Sequence, residues 1–495
     1  MKKLLTLIVA AIMAVACCFS LVACGDKESN VRSIDFDMGT EVSNGYYAMF
    51  AETVPADFKI GFIFLHDEKS TYDLNFYLAA QEAVKVMGLK ADQVVYKFNV
   101  AEDQACYDAA KEMKESGCKA IFADSFGHGS YMAKAAKEFT DVQFYHATGT
   151  GTSIDNPPAN LHNAFASIYV GRYLGGVAAG MKLNEMIEAG KFTADQAKVG
   201  YVGAFPYAEV KSGYTSWFLG VRSVCPTATM EVKFTNSWYD EVAEKSAAEA
   251  LIANGCKLIS QHADSMGAPT ACEKAGVPNV SYNGSTIEKC PNTFIISSKI
   301  DWAPYFKAII ASNSTKYAQV TADTFVPQSM TDGMYQYVGN KIKEMVGKDF
   351  TGDLSIGSVK MSAINADVMA KGTTTKLIEE INNISEAGYY DEDLNEYVQV
   401  PAMYIFDCSK FTVKNAKADT SEFSKAASIT MDANGHLTSY IADVKDEINP
   451  ETGNSTFVPE TEVIKTVDGV TFFSESTFRS APYFDIDIDG ITIIG

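Results

Sequence analysis

The sequence predicts an α/β protein built from doubly wound parallel sheets. Short, unbroken apolar runs of strand length recur along the chain. Stretches of 10–20 residues with helical apolar spacing separate most of them. The composition, 47% hydrophobic and 21% charged, is that of an ordinary globular chain. Alternating strands and helices favour parallel sheets with right-handed crossovers.

The first run is 59–65 (KIGFIFL), apolar enough for a strand buried on both faces. Residues 73–87 follow with helical spacing, and Gly88 stops them. Further strands are expected at 94–98, 120–123, 142–145, 199–205, 230–234, 257–260, 280–282 and 294–296. Helices are expected at 103–116, 130–139, 169–189, 207–224, 240–254 and 268–275. So many units exceed one sheet of ordinary size, and 167–198, with its Gly-Arg-Tyr-Leu-Gly-Gly segment, reads as a passage between two lobes. A strand at 352–359 and a helix at 374–383 come next. From about Glu386 the chain is rich in Tyr, Asp and Thr, with short apolar runs at 402–406, 470–473 and 484–494, which reads as a β-rich appendage.

At 495 residues the chain has room for about three domains. Its formal charge of −21 disfavours nucleic acid and anionic lipid surfaces as partners. The N-terminus is different in kind. Lys2 and Lys3 precede an apolar run, 4–15, of secretory length, too short to span a bilayer. Leu21-Val22-Ala23-Cys24 then resembles a bacterial lipobox, which implies cleavage before Cys24 and acylation of that cysteine. Cys17 and Cys18 would leave with the signal. The seven later cysteines are scattered, without Cys-x-x-Cys spacing, and read as buried free thiols.

Ligands of open α/β sheets bind beyond the carboxyl ends of the strands. Those ends carry His66-Asp67 through Tyr72-Asp73-Leu74-Asn75, then Asp124-Ser125-Phe126-Gly127-His128, and His146. Phe205-Pro206-Tyr207-Ala208-Glu209, Trp238-Tyr239-Asp240, His262-Ala263-Asp264 and Tyr282-Asn283 follow. Flat rings supply stacking faces, while carboxylates and amides fix orientation, so a planar ligand rich in N–H donors suits this lining. Taken singly, Asp240 is equally a helix N-cap, and Trp217 and Trp302 are core residues. Phosphate-loop, dinucleotide, zinc-helix and nucleophile-elbow motifs are missing, so no cofactor and no resident metal is expected.

Six stretches resemble the basic membrane protein family, the lipoprotein substrate-binding components of ABC transporters for purines and nucleosides. They are KIGFIF at Lys59, ADSFGHG at Ala123, DVQFYHATG at Asp141, GRYLGGVAAG at Gly171, VGYVGAFPYAEVKSGYTSWFLGVRSV at Val199 and TNSWYDEVAEKSAAEALIANGCKLISQHADSMGAP at Thr235. The resemblance implies a type I periplasmic-binding-protein fold, two Rossmann-like lobes with ligand in the cleft between them. It places Asp124, Ser125 and Phe126 on one wall and Phe205 and Tyr207 on the other, with Trp238, Asp240, His262, Asp264 and Asn283 completing the second side. In the first loop either Asp67 or Asp73 takes the acidic role, and Tyr72 the aromatic one. Ile300 stands where many nucleoside-binding members carry a lysine.

The implied division is a signal peptide at 1–23, a linker at 24–56, a first lobe at 57–167 and 294–347, a second at 168–293 and 348–385, and an extension at 386–495. The implied role is lipid-anchored capture of a purine base or nucleoside for a permease, with no bond broken. Three rivals stand beside it: a purine-processing hydrolase using Asp67, Asp124 and His262; a metal receptor using His66, His128, His146 and His262; and a signalling sensor.

Overall fold

The computed structural model describes residues 32–34, 40–149, 157–393, 395–414, 428–448 and 455–494. The proposed signal peptide and Cys24 lie outside the described residues.

Two mainly parallel sheets form the framework. The first runs Asp349–Gly352, Leu161–Ala166, Gln143–Ala147, Ala120–Ala123, Ile60–Ile63, Val94–Lys97. The second runs Val359–Met361, Phe294–Ile300, Asn279–Tyr282, Leu258–His262, Lys198–Gly203, Thr229–Phe234, Ile491–Ile493. Only Val359–Met361 is antiparallel to its neighbour in that sheet. The central strands are buried along their length, which is why they read as unbroken apolar runs.

Helices start where side chains satisfy the free N–H groups of their first turn. Ser70 caps Thr71–Val86, Asp103 caps Gln104–Glu115, and Asp240 caps Glu241–Ala253. The glycines of Ile168–Glu188 have a packing role. A Cβ on Gly176 would stand 1.9 Å from the Trp217 carbonyl oxygen, and one on Gly220 2.1 Å from that of Tyr173. Helices Ile168–Glu188 and Ala208–Val224 therefore cross nearly backbone to backbone.

Several expectations are corrected. The strand Phe294–Ile300 pairs in parallel with Asn279–Tyr282, so it belongs to the second sheet, and the chain returns to the first lobe only after it. Residues 352–359 are not one strand. Asp349–Gly352 pairs with Leu161–Ala166 in the first sheet, and after a turn Val359–Met361 joins the second. The linker assigned to 24–56 contains the helix Thr40–Ala51, and the helices Ala303–Ala311 and Met330–Met345 lie where none was expected. Residues 401–405 are a short helix, not a strand. The extension is not a detached unit either, since Ile491–Ile493 continues the second sheet beside Thr229–Phe234. The seven cysteines from Cys106 onward are buried and free.

Candidate functional site

The strand ends of the two sheets face each other across a cleft. Between them lies a cavity of about 400 Å³, counting its opening to solvent. From the first lobe, Leu65, His66, Tyr72, Asp73, Ser125, Phe126 and Thr148 line it. From the second come Glu209, Trp238, His262, Asp264 and Tyr282.

The first-lobe wall is organised around Asp73. Its carboxylate accepts from the His66 backbone N–H (2.7 Å) and the Ser70 hydroxyl (2.5 Å), with His66 Nδ1 at 3.3 Å. Burial alone would raise its pKa, but the hydrogen bonds from His66 and Ser70 hold it below the usual carboxylate value. Asp124 sits behind this wall, fully buried, and accepts from the Leu65 N–H at 3.1 Å. Burial first, and then the charge of Asp73, pushes Asp124 well above the usual range. The two acids thus share a site in which Asp124 keeps its proton longer. Tyr72 donates its hydroxyl to the Asp124 carbonyl at 2.8 Å, which turns its ring along the cavity. Thr148 is held at φ +64°, a strained conformation for a β-branched residue, and its hydroxyl lies 3.5 Å from that of Tyr72.

Aromatic rings dominate the second wall. Phe205 and Tyr207 stack at 5.1 Å and 10°, and Trp238 meets Phe205 edge-on at 5.0 Å. Phe126 approaches Tyr207 across the cleft at 6.3 Å. Glu209 pairs with His262 Nε2 at 3.2 Å. Burial, followed by the nearby charge of Arg172, pushes His262 down to about 4, so it is neutral at pH 7. Nε2 then carries the proton that Glu209 accepts. Tyr282 lies between the His262 ring, at 4.6 Å, and the Arg172 guanidinium, whose carbon is 3.5 Å from the ring centre. Arg172 in turn donates to the Gln261 carbonyl at 2.8 Å. Burial, then the charges of Glu244 and Asp73, raises Asp264 well above its usual value.

Of the residues singled out in the sequence, Tyr72, Asp73, Ser125, Phe126, Trp238, His262 and Asp264 come together on the cavity. The others stand elsewhere. Asp67 closes a turn by accepting from the Lys69 N–H at 3.0 Å. Asn75 donates to the Ile300 carbonyl, so it ties a helix to a crossover strand. Asp240 is exposed and caps its helix through the N–H groups of Val242 (3.1 Å) and Ala243 (2.9 Å). His146 is buried with Nε2 2.6 Å from the Ser125 carbonyl, supporting that residue from behind. Asn283 is buried beside Tyr282 at φ +59° and buried Asp124 backs the wall, while half-buried Phe205 and Tyr207 pack on Trp238 at its margin.

Five lining residues, Leu65, His66, Thr148, Glu209 and Tyr282, lie outside the expected ligand-binding set, although the metal reading names His66. All lie in the strand-end segments. Glu209 closes the Phe-Pro-x-x-Glu block, so that spacing carried the signal. The histidines of the metal reading do not converge. His128 is engaged by the Val100 carbonyl at 2.9 Å and His146 by that of Ser125. Among the described residues no three His, Cys, Asp or Glu side chains are grouped to hold a metal ion.

Residues 63–321, just over half of the chain, match the model of the Bmp family, described as PnrA-like ABC transporter substrate-binding proteins. The chain belongs to this family. Its members are extracytoplasmic binding proteins, not enzymes. The chain is similar to a purine-binding protein of Brucella abortus, with 34% identity over 252 residues, 51% of this chain and 64% of that protein. It is also similar to a Haloferax volcanii protein named for ABC-transporter glucose binding, with 34% identity over 39% of this chain and 45% of that one. The chain thus spans less than two thirds of each of these relatives. Among solved structures it is similar to an ABC-transporter solute-binding protein from Conexibacter woesei, with 17% identity, 66% of this chain, 96% of that chain and a TM-score of 0.45. No helix of the described residues is long and apolar enough to cross a membrane.

Proposed function

We propose that this Bmp-family member is the lipid-anchored receptor of an ABC importer and captures a purine base or nucleoside in the interlobe cavity. The observation that carries the ligand class is the pairing of ring faces with acceptors. Phe126 and Trp238 offer flat surfaces, while Asp73, Glu209 and Asp264 offer oxygens to the N–H edge of a heterocycle. Selectivity comes from burial: an analogue that leaves one of those groups unpaired loses affinity. The name of the Brucella relative supports the same class.

Closure of the lobes on ligand would present a two-lobe surface to a permease. The anchor rests on Cys24 and its preceding Leu-Val-Ala. Incorporation of a clickable fatty acid that disappears in Cys24→Ala tests it.

The ligand is tested by mass spectrometry of small molecules released from purified protein, followed by titration calorimetry with bases, nucleosides and glucose. A purine in the eluate and binding by one member of the purine panel are expected. Binding of glucose alone would transfer the site to sugars, as the name of the Haloferax relative suggests for that protein.

A further inference from the structure

We infer that residues 474–489 of the C-terminal region are part of the binding apparatus: they brace the hinge, with Ser480 as positioning residue for the first-lobe wall and Asp485 for the second. The inference rests on the cleft being the ligand site. The family match ends at residue 321, so nothing in that match assigns this segment a role.

The grip on the first lobe is a junction of three side chains. Ser480 is buried; its N–H donates to one carboxylate oxygen of Asp349 and its hydroxyl to the other, both at 2.7 Å. The amide of Asn163 donates to the Ser480 hydroxyl at 2.9 Å and to Asp349 at 3.1 Å. That fixes which way the amide points. Its oxygen is left to accept the Gly149 N–H, at 3.1 Å. Gly149 follows Thr148, the strained residue on the cavity wall. The C-terminal segment therefore reaches the ligand site through one intervening side chain.

The grip on the second lobe is an ion pair. Asp485 meets Lys211 at 2.8 Å, both almost fully buried. Lys211 lies two residues after Glu209, which lines the cavity, on the helix Ala208–Val224. Further along that helix Arg222 pairs with Asp489 at 2.9 Å. Strand Ile491–Ile493 then locks the segment to the second sheet.

Position decides what these contacts do. Asn163 and Asp349 each stand three residues before the end of a strand from which the chain crosses to the other lobe. Opening the cleft rotates the lobes about those crossovers, so it would have to stretch or break the bonds of Ser480. A segment fixed to one lobe and bonded to the other beside the hinge limits the amplitude of opening.

The test uses the full chain with spin labels at Lys137→Cys and Glu249→Cys, one exposed position on each lobe; the seven described native cysteines are buried. Interlobe distances are read by double electron–electron resonance without ligand, in this background and with Ser480→Ala added. A narrow distribution in the first, and a longer, broader one in the second at unchanged melting temperature, is expected. Superimposable distributions would overturn the brace. Where Ser480→Ala fails to fold, Asp349→Asn weakens the same junction and is read the same way. The distances need no ligand, so a wrong ligand class leaves this result intact. For whichever ligand binds, Ser480→Ala is expected to raise the dissociation constant about tenfold. An unchanged constant would remove the positioning role.

Discussion

Thr71 and Asp264 stand on opposite lobes, and both donors of Thr71 meet the single carbonyl oxygen of Asp264. The backbone N–H lies at 2.9 Å and the hydroxyl at 3.1 Å. Thr71 opens the helix that carries Asp73, and Asp264 lies just beyond the strand that ends at His262. The latch therefore forms only when the two walls of the cavity are in register.

Replacing Thr71 with valine keeps the shape and the backbone donor but removes the hydroxyl. One hydrogen bond of the closed form is lost, worth about 0.5–1.5 kcal/mol. Ligand affinity should fall about three- to tenfold, with little change in melting temperature. Titration calorimetry beside a melting curve measures both; unchanged affinity would mean that the latch does not report on closure.

Among the described residues Trp238 is the only tryptophan on the cavity, since Trp217 and Trp302 are buried in the core. Ligand should therefore change the protein's tryptophan fluorescence through Trp238 alone. Trp238→Phe should abolish that change while retaining binding. Trp238→Ala should cost about 1–3 kcal/mol of affinity through lost stacking. A full fluorescence response in Trp238→Phe would place the ligand elsewhere.

Two acidic residues near each other in sequence pattern should behave in opposite ways. Glu209→Gln removes the charge that His262 donates to and should weaken binding about tenfold or more. Asp240→Asn changes only an exposed cap. Its affinity should equal that of the parent, with a stability loss below about 1 kcal/mol. Equal losses of affinity in the two variants would contradict the placement of the site.

Glu244 lies beneath the loop that carries Asp264 and accepts the Ser265 N–H at 3.2 Å. Burial, the leading influence, raises it to about 7 against an ordinary value of 4.5. Between those values the folded form holds a proton that the unfolded form has released, so this group removes stability as pH rises from about 4.5 to 7. Glu244→Gln should match the parent near pH 4.5 and exceed it increasingly up to about pH 7.5, by on the order of 2–3 kcal/mol. Melting curves across that range check it; a constant difference between variant and parent would show that Glu244 does not titrate there.

Elements that need only a local cause are legible in the sequence. The strand Ala120–Ala123 falls on its apolar run because a strand buried on both faces needs nothing else. The cap at Asp240 is legible too, since capping involves only residues two and three positions on. The helix Thr40–Ala51 is not legible in the sequence because its residues carry little apolar periodicity. It is stabilised instead by packing on Ala303–Ala311 and Met330–Met345, elements remote in sequence.

By itself the sequence determined the α/β class, the resemblance to a family of binding proteins, and the enrichment of rings and acids at strand ends. These depend on periodicity and on residue type. Only the tertiary structure decided which acid faces the cavity. Asp67 and Asp73 are alike on paper, but Asp73 is held inward by His66 and Ser70 while Asp67 turns to Lys69. It also decided that Phe294–Ile300 serves the second sheet and that Ser480, far along the chain, meets Asn163. Those are pairings between distant segments, and hydrogen bonds of that kind leave no periodic trace in either partner.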